Sequence, residues 1–174
     1  YSLSELRALS EFARAEGLFF HMDGARIANA AASLGATLRE CTTDVGVDVL
    51  SFGATKNGAV GAEAVIALSP EFVSAHAEDL RYIQKQSMQL ASKARFVSAQ
   101  LLALFEGELW RSSALHANAM ARMLADEVRA LRGRSGVSAV EVVYPVEANA
   151  VFARIPVAAI PALQSRFPFY TWEE

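Results

Sequence analysis

Asp23 and Lys56 are the residues through which this sequence could do chemistry. Each comes at the end of an apolar run that reads as a strand. Leu18-Phe19-Phe20-His21-Met22 leads directly into Asp23, and Lys56 comes four residues after Phe52, the last residue of Val47-Asp48-Val49-Leu50-Ser51-Phe52. The stretch between them has room for one helix and a return strand. In a parallel sheet both side chains would then emerge at the carboxyl edge, where open α/β sheets bind their ligands. A buried lysine gives up its charge readily, because desolvation disfavours the ammonium. That makes Lys56 a candidate Schiff-base nucleophile. A nearby carboxylate could keep a pyridinium nitrogen protonated, and the two together are the handles a protein needs on pyridoxal phosphate. The pair also has an ordinary reading. An aspartate at a strand end caps turns, and a lysine in a glycine-containing loop is solvated. Spacing alone leaves both readings open.

Positioning such a pair takes an α/β frame, and the flanking sequence predicts one. Residues 4–16 place Leu6, Leu9, Phe12 and Ala13 on one helical face, with Glu5, Arg7, Glu11 and Arg14 between them. Ser2 or Ser4 can cap that helix, and Gly17 sits where a terminating glycine belongs. The run 18–22 suits a strand buried on both faces. Asp23-Gly24-Ala25-Arg26 breaks it, and the Ala-rich stretch 27–34 reads as a helix ending near Gly35. After a connective stretch, 47–52 is a second strand, Gly53-Ala54-Thr55-Lys56-Asn57-Gly58 a turn-rich loop, and 63–68 a third strand. Ser69-Pro70-Glu71 opens a helix with a capping serine, a first-position proline and an acid in the first turn. Helix-forming sequence continues to about Leu131, punctuated by Gly107, and Arg132-Gly133-Arg134-Ser135-Gly136 reads as a joint. Beyond it, 139–144 and 150–155 read as strands around a turn at Pro145, and 157–166 as a helix. The expected domains are an α/β portion over 1–68, a helical stretch over 69–132 and a partial α+β domain over 133–174.

Composition narrows the function classes. Sixteen Lys and Arg stand against 19 Asp and Glu, a formal charge of −3, so neither a nucleic-acid nor a membrane partner is expected. A single cysteine rules out an internal disulfide and a Cys-rich zinc site. His21-x-Asp23 lacks the further ligands a metal would need, so no metal is expected. Gly53, Gly58 and Gly61 do not form a phosphate-binding P-loop, because that motif needs a Gly-Lys-Ser/Thr sequence that Lys56 does not provide. No uncharged apolar run approaches the roughly 18 residues of a membrane span, and residues 1–7 carry no basic-then-apolar leader. A soluble, cytoplasmic, globular protein with a small-molecule site is expected. Cys41 is expected to be a bystander, and His76 and His116, in helical stretches with charged neighbours, surface groups. His21 shares a strand face with Asp23, and reads as a buried core histidine or as a support for that aspartate.

The wording of the motifs adds more. His21-Met22-Asp23-Gly24-Ala25-Arg26, then Asn29-Ala30, then Ser51-Phe52-Gly53-Ala54-Thr55-Lys56-Asn57-Gly58 resembles the low-specificity threonine aldolases, which are fold-type I pyridoxal-phosphate lyases. The resemblance runs the length of the chain and includes Ser92-Lys93-Ala94-Arg95-Phe96. It implies an α/β architecture: part of a fold-type I pyridoxal-phosphate large domain, followed by helices and an incomplete α+β small domain. It implies that Lys56 holds the cofactor covalently and that Asp23 pairs with the pyridine nitrogen. Arg26 would lie against the cofactor's phenolic oxygen and the substrate carboxylate, and Thr55 would help position the cofactor. The implied reaction cleaves the Cα–Cβ bond of threonine-like β-hydroxy-α-amino acids to glycine and an aldehyde. A homo-oligomer, dimer or tetramer, is implied as well.

Members of that family are roughly twice this length. The phosphate-binding turn, a side chain stacked on the ring and the base for the hydroxyl are expected in a preceding half, and a second carboxylate-binding arginine beyond residue 174. The segment alone is therefore expected to be inactive. Two other readings remain: another fold-type I enzyme, such as an aminotransferase or β-eliminating lyase, and a non-catalytic α/β interaction module.

Overall fold

The structure is a computed structural model and describes residues 1–131 and 140–172. The chain divides into two compact units, Tyr1–Ala117 and Asn118–Glu174.

The first unit begins with helix α1, Leu3–Ala15. Ser2 rather than Ser4 caps it: Ser2 Oγ accepts from Glu5 N–H at 3.3 Å, and Glu5 Oε2 accepts from Ser2 N–H at 2.6 Å. That bonding holds the Glu5 carboxyl below its usual range. Gly17, at φ 66°, turns the chain out of the helix. Of the predicted apolar stripe only Leu6 is buried; Leu9 and Phe12 are exposed.

Strand β1 covers His21–Gly24, helix α2 Ile27–Leu34, strand β2 Val49–Gly53 and strand β3 Glu63–Ala67. The sheet order is β1-β2-β3, with β1 parallel to β2 and β3 antiparallel to it. This is the predicted sequence of elements with one shift. β1 starts later than expected and takes in Asp23 and Gly24, because the ladder to β2 runs through Gly24↔Phe52. Phe20 is still tied to the sheet, its N–H donating to Asp48 Oδ2 at 2.8 Å and its carbonyl accepting from Asp48 N–H at 2.9 Å.

The core lies on one side of the sheet. Ile27, Ala28, Ala31 and Ala32 of α2 pack with Leu50, Phe52, Ala54 and Ala62, joined by Leu104, Trp110 and Ala114. Small alanines let α2 lie close to the strands. At about 25 cal/mol per Å2 such burial is the main support of the fold. The other face of the sheet departs from expectation. His21 and Asp23 are exposed, and Val65 of β3 is 63% exposed. The strand buried on both faces is thus covered on one face only within this chain.

Helices α3, α4 and α5 cover Pro70–Gln86, Ala94–Phe105 and Leu109–Ala130. Ser69 caps α3 as predicted, accepting from Phe72 N–H at 3.2 Å. Gly107, at φ 75°, separates α4 from α5. The break between α3 and α4 was not expected. Ser87 ends α3 and Met88 takes φ 55°, with no glycine or proline there to announce it. α3 buries no residue.

The second unit contains the later turns of α5, the two-residue strands β4 (Glu141–Val142) and β5 (Ala153–Arg154), and helix α6, Ile160–Gln164. β4 and β5 pair antiparallel, with Arg154 Nη1 donating to Glu141 Oε2 at 3.2 Å. Tyr144, Phe152 and Trp172 stack edge to face, with centroids 5.8 and 5.9 Å apart. The predicted joint 132–136 and the start of the predicted strand at Ala139 lie outside the described residues.

Candidate active site

The ends of β1 and β2 meet at one point of the sheet edge. The parallel register sets Asp23 beside Ser51 and Gly24 beside Phe52. One residue further on, the two motifs touch through their backbones. A methyl group on Gly53 would lie 2.7 Å from Ala25 Cα and 3.0 Å from the Ala25 carbonyl oxygen, so only glycine fits. The chain carrying Asp23 and the chain leading to Lys56 therefore diverge from a shared contact.

Asp23 points from the uncovered face. Its Oδ1 accepts from Ala25 N–H at 2.9 Å, which turns the chain out of the strand and orients the carboxylate. Its second oxygen has no partner among the described residues. His21 shares the face, and its Nε2 lies 2.9 Å from Ser51 Oγ on the neighbouring strand. His21 is exposed, so the reading as a buried core histidine is not met. Its partner is Ser51, to which sequence reasoning assigned no role. The parallel register is the information that links them.

Lys56 sits in a 3-10 turn, Thr55–Asn57, closed by Gly58 at φ 114°. Three side chains hold the loop that contains it. Glu63 Oε1, from β3, accepts from Thr55 N–H at 3.2 Å. Gln100 Oε1, from α4, accepts from Val60 N–H at 2.8 Å and Gly61 N–H at 3.2 Å. Asn57 Nδ2 donates to the Trp110 carbonyl, in the first turn of α5, at 2.9 Å. Sequence reasoning gave these three residues no role; Asn57 stands inside the quoted motif, while Glu63 and Gln100 belong to no local pattern. The expected buried lysine is not found. Asn57 enters the core, while Lys56 and Thr55 are exposed in this chain.

Arg26 occupies the residue before α2 and is exposed. The Arg26 carbonyl accepts from Ala30 N–H at 3.2 Å, but neither the Arg26 nor the Lys56 side chain makes a hydrogen bond or ion pair among the described residues. Cys41 is buried, and its burial together with the Glu40 carboxylate pushes its thiol up, away from the reactive thiolate. His116 is exposed. His76 is not a plain surface group: its ring packs 4.9 Å from Phe72 and 5.4 Å from Phe19.

The structure thus brings the Asp23 and Lys56 segments to one edge and leaves a carboxylate oxygen, an amine and a guanidinium without partners among the described residues. In chemical terms these can hold a protonated ring nitrogen, condense with a carbonyl, and bind a carboxylate or phenolate.

A family profile described as beta-eliminating lyase matches residues 1–155. The chain is 43% identical over 173 residues to a low-specificity L-threonine aldolase of Pseudomonas sp. (strain NCIMB 10558) and 42% identical to one of Pseudomonas aeruginosa. Each alignment covers 99% of this chain and 47% of the relative, so the chain spans about half the length of the curated relatives it matches. The solved Leishmania major threonine aldolase superposes with a TM-score of 0.80 at 27% identity, over 100% of this chain and 48% of that one. A crystal structure from Exiguobacterium sp., a putative aromatic amino acid beta-eliminating lyase/threonine aldolase, superposes with a TM-score of 0.61 at 20% identity, over 86% of this chain and 38% of that one, and shows the shared fold.

Proposed function

The chain belongs to the beta-eliminating lyase family, and on that premise we propose that it forms the strand-end half of a pyridoxal-phosphate-dependent aldolase site. The substrate class is threonine-like β-hydroxy-α-amino acids, cleaved between Cα and Cβ to glycine and an aldehyde. The carrying observation is the fixed Asp23 carboxylate, with one oxygen free, at the same sheet edge that the Lys56 turn leaves. That donor set fits the cofactor: an acceptor for a ring N–H and an amine for a carbonyl, with the two polar side chains nearest Asp23 on its face, His21 and Ser51, bonded to each other.

When bound, pyridoxal phosphate supplies an electron sink for the pair released at Cα as the Cα–Cβ bond breaks. Lys56 would hold it covalently through Nζ. Asp23, through its free oxygen, would keep the ring nitrogen protonated, as opposite charge favours the charged form. Arg26 would bind the substrate carboxylate with its planar fork of donors, which a lysine could not reproduce. Thr55 would act through its hydroxyl. Its amide already serves Glu63, and a phosphate placed there would meet that carboxylate's like charge. The proton lost from the hydroxyl balances the one gained at Cα, so the reaction needs no redox partner. The same reading carries a homo-oligomer acting in the cytoplasm on a free amino acid. It is consistent with the described residues containing no helix long and apolar enough to cross a membrane.

Borohydride reduction of the cofactor-loaded full-length protein, followed by peptide mass analysis, tests the reading. A reduced cofactor adduct on Lys56 is expected, along with glycine and acetaldehyde from threonine. An adduct elsewhere removes the proposal, and a keto acid product moves the chain to a different reaction within the fold.

A further inference from the structure

We propose that Asn57 is a positioning residue: its buried amide, bonded to the Trp110 carbonyl, fixes where the neighbouring Lys56 amine stands. The inference rests on the reading of Lys56 as the cofactor-bearing lysine. Asn57 is 8% exposed and spans 53 residues of sequence to reach Trp110 at 2.9 Å. Its other polar side-chain atom, Oδ1, is buried with no partner among the described residues. The orientation of the amide follows from chemistry, since only the NH2 end can donate to a carbonyl.

A half-satisfied amide is a net cost in a core. Leucine has the same branching at Cγ, with methyls larger than the amide's atoms, and strands no acceptor there. The amide's gain is therefore direction rather than stability. Apolar packing is non-directional and would let a short turn rotate. A bond to a helix carbonyl holds it. The anchor is itself rigid: Trp110 is buried in one cluster with Leu104, Ala114, Phe52 and Ala54. That cluster contains the end of β2 and the residue that begins the loop, so strand and anchor move together. Lys56 immediately precedes Asn57, and rotation of the turn displaces it directly. Glu63 holds the backbone amide of Thr55, the first residue of the turn, and Gln100 holds amides beyond its end, while Asn57 is the residue of the turn whose side chain reaches into the core among the described residues. Displacement of a reacting group by about 1 Å costs up to about 100-fold in rate.

The test uses the full protein expressed from its own gene, as wild type, Asn57→Leu and Ser10→Ala. Ser10 is a control, a buried hydroxyl donating to the Gly46 carbonyl at 3.0 Å, whose loss removes a tether that serves α1. Thermal midpoints of the cofactor-free proteins are measured together with the rate at which added pyridoxal phosphate attaches to Lys56, followed by absorbance and reductive trapping. Asn57→Leu is expected to melt at or near the wild-type temperature and to attach the cofactor about tenfold more slowly. Ser10→Ala is expected to attach it at the wild-type rate. Wild-type attachment in folded Asn57→Leu overturns the proposal, as does equal slowing in Ser10→Ala. Should Asn57→Leu fail to fold, the wild type decides. With 15N-labelled asparagine, slow solvent exchange of the Asn57 side-chain amide upholds the tether, and exchange at the rate of a free amide overturns it. Failure of the wild type to attach cofactor at Lys56 is a separate result: it removes the functional reading and this proposal with it.

Discussion

Asp23 is oriented by a bond to Ala25, two residues along its own chain, whereas the Lys56 loop is held by side chains with partners 8, 40 and 53 residues away. The two halves of one site are thus built by different means. The carboxylate comes with its own support and needs only the end of a strand. The amine is carried on a short turn that β3, α4 and α5 must each hold. A local device tolerates change elsewhere in the fold, and a device made of distant tethers inherits every movement of the elements that carry them. The lysine side is accordingly where changes outside the motif should reach the chemistry.

Substitutions at four positions would break or sharpen that contrast. Lys56→Ala should abolish covalent attachment of the cofactor entirely, and a reducible adduct surviving in that variant would detach the chemistry from the turn. Asp23→Asn should leave the fold intact, within about 0.5 kcal/mol, because the amide oxygen can still accept from Ala25. Its turnover should fall by about 100- to 1,000-fold, the usual loss when one electrostatic stabiliser of developing charge is removed, with cofactor still bound; near-normal kcat would refute the role. Gly53→Ala strikes the contact shared by both halves. Forcing a methyl group to within 2.7 Å of Ala25 Cα should destabilise the protein by about 1–3 kcal/mol and reduce turnover, measured by denaturant melts and steady-state rates. Glu63→Ala should lower kcat/KM about threefold to tenfold by freeing the Thr55 amide, while Glu63→Gln, which keeps an acceptor, should stay near wild type. If the alanine variant also stays near wild type, the distant-tether account of the lysine half loses one of its three supports.

How much was legible follows the same division. The apolar runs at 18–22, 47–52 and 63–68 predict the three strands, because a buried strand needs nothing beyond its own side chains to declare itself. Ser2, Gly17, Ser69 and Gly107 mark helix ends by local rules. The break at Ser87–Met88 was invisible, since neither residue is a helix breaker by type. At the site, Asp23, Arg26, Thr55 and Lys56 stood out by motif. Glu63 and Gln100 did not, because an acceptor for a distant amide can be any polar residue, and only the fold says which one arrives; Ser51 lies in a motif, but its pairing with His21 needs the strand register. The expected buried Lys56 and buried His21 failed for a related reason. Burial depends on what covers a face, and the face of β1 that carries His21 and Asp23 is uncovered within this chain.

The sequence by itself determined the element order, the residues at the strand ends and the chemistry those residue types allow, since hydrophobic period, capping and functional groups are properties of short stretches. The tertiary structure alone decided that β1 and β2 run parallel in a register that sets Asp23 against Ser51, and that Gly53 meets Ala25. It also decided that a carbonyl of α5 receives the amide of Asn57. Those are contacts between segments remote in sequence, and their geometry depends on how whole elements pack, which no local pattern encodes.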